Sequence, residues 1–385
     1  MAEAARATRA KAGPAIHKGL VGLVVDNSAI SRVNPETNSL TYYGYPVQDL
    51  ARHCTFEEVA YLLANGELPS RAQLSRFRRA ERALREIDRD HVGVIARFSR
   101  AAHPMDTLRT AVSYLGTREV AWGGEKPATD KRRAMALLAK IPTVMATDYR
   151  FRDAKRRIRP RDDLSFSENF CYMCFGRKPA PEVARALDTS LILYAEHGFN
   201  ASTFAARVVA STLSDIYSAV TAAIGALKGP LHGGANEAVM HMLGEIGTPA
   251  RAEAWIRGAI ERKRLIMGFG HRVYRTGDSR VPTMNKCLED LSAWKGDDRW
   301  LRITQTLARV VIAEKGIHPN LDFPSGPAYD LMGFDIDLFT PIFVMSRITG
   351  WSAHYLEQIA DNRLIRPLSA YTGPPQRKVR PLARR

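Results

Sequence analysis

The chain has 385 residues, 45% of them apolar and 25% charged, enough to bury a large core in two domains or in one domain with an insertion. Four cysteines are too few for a disulfide framework and point to a reducing compartment, so the cytoplasm is expected; the isolated CxxC of Cys171 and Cys174 lacks the second ligand pair of a zinc site, so no metal is expected. The formal net charge of +16 attracts anions without naming them, yet the basic clusters at 76–85, 150–161 and 377–385 come with no helix-turn-helix, zinc-finger or RNA-binding signature.

Residues 1–18, rich in Ala and Arg but without the apolar run of a secretory signal, are expected to fray. Short strands are predicted at 20–25 and 40–45, separated by the turn formers Asn34, Pro35 and Asn38, which gives one or two small N-terminal β-hairpins. At Thr55 the periodicity turns helical. Thr55 and Glu58 form a capping box, Phe56, Val59, Leu62 and Leu63 form the apolar stripe, and Gly66 ends it. Ser70 and Gln73 make a second box, followed by Leu74, Phe77, Leu84 and Ile87 with arginines on the other face. Further helices are predicted at 107–115, 131–145, 181–197, 202–227, 236–246, 252–263, 282–294, 300–315 and 341–361. No βαβ alternation, no Gly-rich phosphate loop and no apolar run of the roughly 20 residues that span a bilayer interrupts this pattern. The expectation is a mainly helical enzyme that binds no membrane.

Glycine and proline concentrate between residues 225 and 333, where three segments set acids and bases among turn residues: KGPLHGGANE (228–237), GFGHRVYRTGDSR (268–280) and HPNLDFPSG (318–326). One histidine beside glycines is usually structural. Three such segments in one region suggest loops that carry function on a rigid scaffold.

These segments resemble the active-site motifs of the citrate synthases, in the same chain order, and the resemblance extends from about Lys18 to Pro381. It implies an all-α fold with short N-terminal β-hairpins, in which residues 1–227 and 325–385 form a large helical domain, 228–324 a smaller one, and the active site lies in the cleft between them. It also implies condensation of an acyl-CoA with oxaloacetate, a homodimer with a shared site, and no cofactor, since coenzyme A arrives as part of a substrate.

By resemblance His232, His271 and Asp322 are the catalytic groups. An acyl-CoA α-carbon is a weak acid, so a carboxylate, Asp322, is wanted as base; His232 would donate to the thioester oxygen as charge moves there, and His271 would protonate the ketone oxygen of oxaloacetate. The two carboxylates of oxaloacetate call for guanidinium partners, which the resemblance places at Arg280, Arg347 and Arg366, the last reaching the other subunit, with His197 and Asn200 beside them. Arg275 and Lys315 match CoA-phosphate contacts, and Phe343, one helical turn before Arg347, matches an acyl contact, although it also reads as an ordinary core aromatic.

Between propionyl-CoA and acetyl-CoA, the stretches 18–51 and 339–358 resemble the propionyl-CoA branch of the family more closely. The chemistry of one methylene cannot decide this, because it is worth only about 1–3 kcal/mol in an apolar pocket. The reading from another class, a basic helical nucleic-acid-binding protein, would leave the three segments unexplained; nucleic acid is not expected as a partner.

Overall fold

A computed structural model describes residues 16–34, 36–119, 128–270, 274 and 277–385. The chain divides into two compact units, one of Ser28–Arg363 and one of the two chain ends, up to Asn27 and from Leu364. In the unit of the ends, Lys18–Leu20 is a single 3-10 turn, and the apolar residues from Leu20 to Val25 are exposed rather than paired in a strand.

The strand expected at 20–25 is therefore absent, and the hairpin forms closer to the turn. β1 (Ser31–Asn34) pairs antiparallel with β2 (Ser39–Tyr42), and β3 (Tyr45–Pro46) pairs with β2. A short connection through the turn formers closes at a smaller entropic cost than the long loop a strand at 20–25 would need.

The rest of this unit is helical, starting with α1 (Val47–His53), α2 (Phe56–Asn65), α3 (Arg71–Ala83) and α4 (Arg89–Ile95). Both predicted capping boxes form with both halves, and Gly66 ends α2 in the left-handed region at φ 86°. There follow α5 (Pro104–Glu119), α6 (Ala128–Arg152) and α7 (Phe166–Phe175); α7 opens on a third capping box, Ser165 with Glu168, and buries the free thiols of Cys171 and Cys174. The helix expected at 202–227 is two. After α8 (Pro181–Tyr194) come α9 (Ala201–Ser211) and α10 (Ile216–Leu227), because Leu213 turns at φ 63° and Asp215 caps a new helix by accepting from the Ser218 amide at 3.0 Å. α11 (Ala235–Ile246), α12 (Pro249–Glu261), α13 (Val281–Lys295), α14 (Arg299–Lys315), α15 (Asp322–Met332) and α16 (Phe339–Ala360) complete the order. None of these is long and apolar enough to cross a membrane.

Three of these helices are buried on every side along part of their length: α8 from Ala186 to Tyr194, α15 from Phe323 to Tyr329 and α16 from Phe339 to Tyr355. A helix without a polar face belongs in the middle of a core. α16 packs on α6, α8, α9 and α10, while α15 packs on α8, α11 and α13. The site is assembled where α8 ends, α16 passes and α15 begins.

α15 can lie close to α11 only because residue 326 has no side chain. A Cβ there would stand 2.9 Å from the Asn236 carbonyl oxygen and 3.0 Å from Met240 Cγ. Backbone cannot yield as a flexible side chain would, so Gly326→Ala should lower stability to chemical denaturation by about 1–3 kcal/mol, as overpacking does. A loss below about 0.5 kcal/mol would show that the two helices can separate freely.

Candidate active site

The last carbonyls of a helix have no partner within it, and the buried end of α8 meets that need with side chains from distant parts of the chain. Arg347 Nε, from the middle of α16, donates to the Tyr194 carbonyl at 2.7 Å, and Arg280 Nη1 approaches the Leu193 carbonyl at 3.4 Å. The Tyr42 hydroxyl lies 3.1 Å from the Ile192 carbonyl oxygen and 3.0 Å from that of Glu196. The negative pole of α8 thus gathers two buried cations.

Arg280 has its own counter-ion. Its Nε and Nη2 reach the two oxygens of Asp278 at 2.9 and 2.7 Å, and Asp278 also accepts the Leu321 amide at 3.2 Å. Burial alone would raise the Asp278 carboxyl, but the Arg280 guanidinium outweighs it and holds the group down at about 2. Arg347 differs. It is 1% exposed, its guanidinium lies 4.7 Å over the Phe343 ring, and it makes no ion pair among the described residues. Burial pulls it down to about 10, so it is still cationic at neutral pH, with both η nitrogens available to a ligand.

His197 follows the end of α8, with its ring edge-to-face on Tyr274 at 5.7 Å; the Tyr274 hydroxyl is 3.2 Å from Ser279 Oγ, next to Arg280. Asn200 caps α9, its Oδ1 accepting from the Thr203 amide at 3.1 Å. At that helix start His232 is held: its Nε2 accepts from the Ser202 amide at 3.3 Å and lies 2.8 Å from Ser202 Oγ, which the Trp351 indole N–H reaches at 3.1 Å. A backbone amide can only donate, so Nε2 is unprotonated and the imidazole proton sits on Nδ1; Asn200 Oδ1, 3.2 Å from the same nitrogen, takes its hydrogen bonds from the Thr203 amide and Ser202 Oγ instead. Burial, and then the charge of Arg347, push His232 down to about 4. It is a neutral donor at neutral pH. The turn that carries it is tight enough to require glycine at 233, where a Cβ would stand 2.7 Å from the Leu227 carbonyl oxygen.

Asp322 opens α15, and the Tyr194 hydroxyl donates to its Oδ1 at 2.7 Å. Burial pushes the carboxyl up to about 6, although Tyr194, Arg280 and Arg347 all act to lower it. The Phe343 ring lies 4.4 Å from the ring of Tyr194, whose hydroxyl holds Asp322, and 6.2 Å from the His232 ring. A neutral donor and a carboxylate with raised affinity for protons thus share an aromatic wall beside two guanidiniums. That arrangement suits withdrawal of a proton next to a carbonyl in an anion-binding pocket.

The structure therefore brings His197, Asn200, His232, Arg280, Asp322, Phe343 and Arg347 together. His271 and Arg275 lie outside the described residues; the segment just before them is pinned, with the Gly270 amide donating to the His318 carbonyl and the Asn320 amide to the Gly268 carbonyl, both at 2.9 Å. Lys315 ends α14, exposed, and makes no ion pair or hydrogen bond among the described residues. Arg366 is exposed in the unit of the chain ends. Tyr194, Asp278 and Ser202 join the site without having been expected there from the sequence. Only Asp278 carried a signal, as the acid of the acid-small-arginine triplet that ends at Arg280.

Helical fold and site define an enzyme class built to bind a small dianion next to a proton acceptor. The chain belongs to the citrate synthase family, whose C-terminal domain pattern matches residues 19–368. It is 58% identical to the 2-methylcitrate synthase of Mycobacterium tuberculosis H37Rv, covering 94% of this chain and 92% of that one, and 57% identical to a citrate synthase of Mycolicibacterium smegmatis, covering 95% and 97%. Among solved structures it resembles the citrate synthase of Pyrobaculum aerophilum (TM-score 0.89, 41% identity, 96% of this chain and 95% of that one). It also resembles a ternary complex of carboxymethyl coenzyme A and oxaloacetate with the Thermoplasma acidophilum citrate synthase (TM-score 0.90, 35% identity, 96% and 100%).

The paired charges at the heart of the site make one expectation sharp. Asp278→Asn keeps the shape but leaves Arg280 as a buried cation without its counter-ion, so stability to urea should fall by about 3–5 kcal/mol. Wild-type stability in this variant would mean that the guanidinium finds another partner.

Proposed function

We propose that this protein condenses propionyl-CoA with oxaloacetate and water to give 2-methylcitrate and CoA, with side activity on acetyl-CoA. The observation that carries the reaction type is a neutral His232 and an ionisable Asp322 linked through Phe343 and Tyr194, where the end of α8 also gathers Arg280 and Arg347. The preference for propionyl-CoA is supported by the 58% identity to a relative named 2-methylcitrate synthase, and the side activity by the relative named citrate synthase.

In this reading the Asp322 carboxylate takes a proton from the acyl α-carbon, and the electron pair moves towards the thioester oxygen, where His232 Nδ1–H donates. The new carbon nucleophile attacks the ketone carbon of oxaloacetate, and His271 supplies the proton that turns the ketone oxygen into an alcohol. Water then cleaves the thioester C–S bond and releases CoA. Arg347 and Arg280, with His197 and Asn200 close by, hold the carboxylates of oxaloacetate. Arg366 of a second copy completes that site in a homodimer, Arg275 and Lys315 meet the CoA phosphates, and movement of residues 228–324 over bound oxaloacetate excludes water before condensation.

The base must be ionised to work. A carboxyl raised to about 6 is mostly ionised at pH 7.5, so kcat/KM should be flat there and fall about tenfold per pH unit below 6, while His232, titrating near 4, stays neutral through that window. Asp322→Asn should lose at least about a hundredfold in condensation with little change in oxaloacetate affinity. Near-normal turnover in this variant removes Asp322 from the mechanism.

The acyl preference is tested by release of free CoA at saturating oxaloacetate. The specificity constant for propionyl-CoA should equal or exceed that for acetyl-CoA, and by a modest factor, because the extra methyl contributes about 0.8 kcal/mol on burial. A ratio favouring acetyl-CoA by more than about tenfold, or roughly 1.4 kcal/mol, would replace this reading with that of a citrate synthase.

A further inference from the structure

Behind the site lies a carboxylate for which the proposed chemistry has no use. Glu196 immediately precedes His197 and is fully buried, at 0% exposure. Its Oε1 accepts from His354 Nε2 at 2.9 Å, from Ser31 Oγ at 3.0 Å and from the Gly198 amide. Its Oε2 is buried with no hydrogen-bond partner among the described residues, and faces Gly350 so closely that a Cβ there would stand 2.2 Å away. Such an oxygen carries an uncompensated desolvation cost, so it calls for an explanation.

The groups beyond it are ordered by their donors. Arg207 Nη1 lies 3.1 Å from His354 Nδ1, and a guanidinium nitrogen can only donate, so Nδ1 accepts and the imidazole proton sits on Nε2, directed at Glu196. The same Nη1 reaches Glu357 Oε2 at 2.7 Å, Glu357 Oε1 accepts the Ala29 amide at 2.9 Å, and the guanidinium lies 4.5 Å over the Phe199 ring. A buried cation, an imidazole and a carboxylate therefore stand in a row that ends on the turn between α8 and α9. That turn carries His197, and the carbonyls just before it hold Arg280 and Arg347.

We propose that Glu196, backed by His354 and Arg207, is a positioning residue for the oxaloacetate half of the site: it fixes the 195–200 turn and sets a negative charge behind Arg347, so that His197, Arg280 and Arg347 converge on one dicarboxylate. This rests on the functional reading above. The acyl half has its main anchors elsewhere, His232 on the Ser202 amide and hydroxyl and Asp322 on the Tyr194 hydroxyl; neither bonds to Glu196, His354 or Arg207, and the turn meets this half only through Asn200 Oδ1, 3.2 Å from His232 Nε2. Loss of Glu196 should thus weaken oxaloacetate binding and leave the handling of acyl-CoA in place.

The test uses the full chain. Glu196→Gln keeps size and an acceptor oxygen but removes the charge; the Kd for oxaloacetate by titration calorimetry and its KM should rise tenfold or more, while kcat at saturating oxaloacetate and the KM for propionyl-CoA change less than threefold. Ser31→Ala, at a half-buried strand position where folding is not at risk, removes one donor to the same oxygen and should raise the oxaloacetate KM about threefold with acyl-CoA constants unchanged. Should Glu196→Gln not fold, Ser31→Ala decides. Unchanged oxaloacetate binding, or a loss of kcat and of affinity for both substrates together with a lower melting temperature, overturns the inference alone. Failure of the unaltered protein to bind oxaloacetate overturns the functional reading, and this inference with it.

Discussion

Where α8 stops at Tyr194, its last carbonyls are buried and cannot be satisfied by the helix itself, and the groups that come to them are Tyr42, Arg280 and Arg347. Each side of this contact needs the other. Orphan carbonyls in a core cost free energy, and so do guanidiniums taken out of water. Meeting at one helix end, they offset part of both costs, and they leave Arg280, paired with Asp278, and Arg347, with no ion pair among the described residues, at the helix end where the Tyr194 hydroxyl donates to Asp322. The charge that makes the pocket attractive to a dianion is thus also what closes the fold around α8.

One physical cause then acts in opposite directions on the two groups assigned to the chemistry. Burial favours whichever form is neutral, so it pushes His232 down to about 4 and Asp322 up to about 6. Arg347 reinforces the first shift and opposes the second. The histidine is therefore firmly neutral while the carboxylate remains ionised at neutral pH, a separation that two ordinary surface residues would not show. The Ser202 amide adds what burial cannot, a choice of tautomer for His232.

Close backbone approach brings the three functional segments to this point. The glycines at 233, 268 and 326 each stand where a Cβ would fall within 3 Å of a neighbouring atom, and Gly268 also has φ 80°. The segments from 268 to 270 and 318 to 320 bond to each other, which places the start of α15 beside the loop that leads to His271. Glycine in these motifs serves the separation between elements as much as the conformation of its own turn.

By itself the sequence determined the helical class, the capping boxes at Thr55 and Ser70, the three candidate segments that set acids and bases among turn residues and, through resemblance to the citrate synthases, the candidate residues. All of these are written among neighbours along the chain, where periodicity, caps and motif spacing can be read. It misled where local pattern and chain closure compete, as at 20–25, and where a polar side chain interrupts an apolar stripe, as at Asp215. Tyr194, Ser202 and Glu196 look like core or helix-start residues in the sequence. Only the tertiary structure gives them partners, because the group that satisfies a buried carbonyl or carboxylate can come from far along the chain. Arg347 and Tyr194 are 153 residues apart, and His354 and Glu196 are 158. Which donor meets which acceptor inside a core is settled by packing, since every buried polar group must be paired by whatever the fold brings within reach.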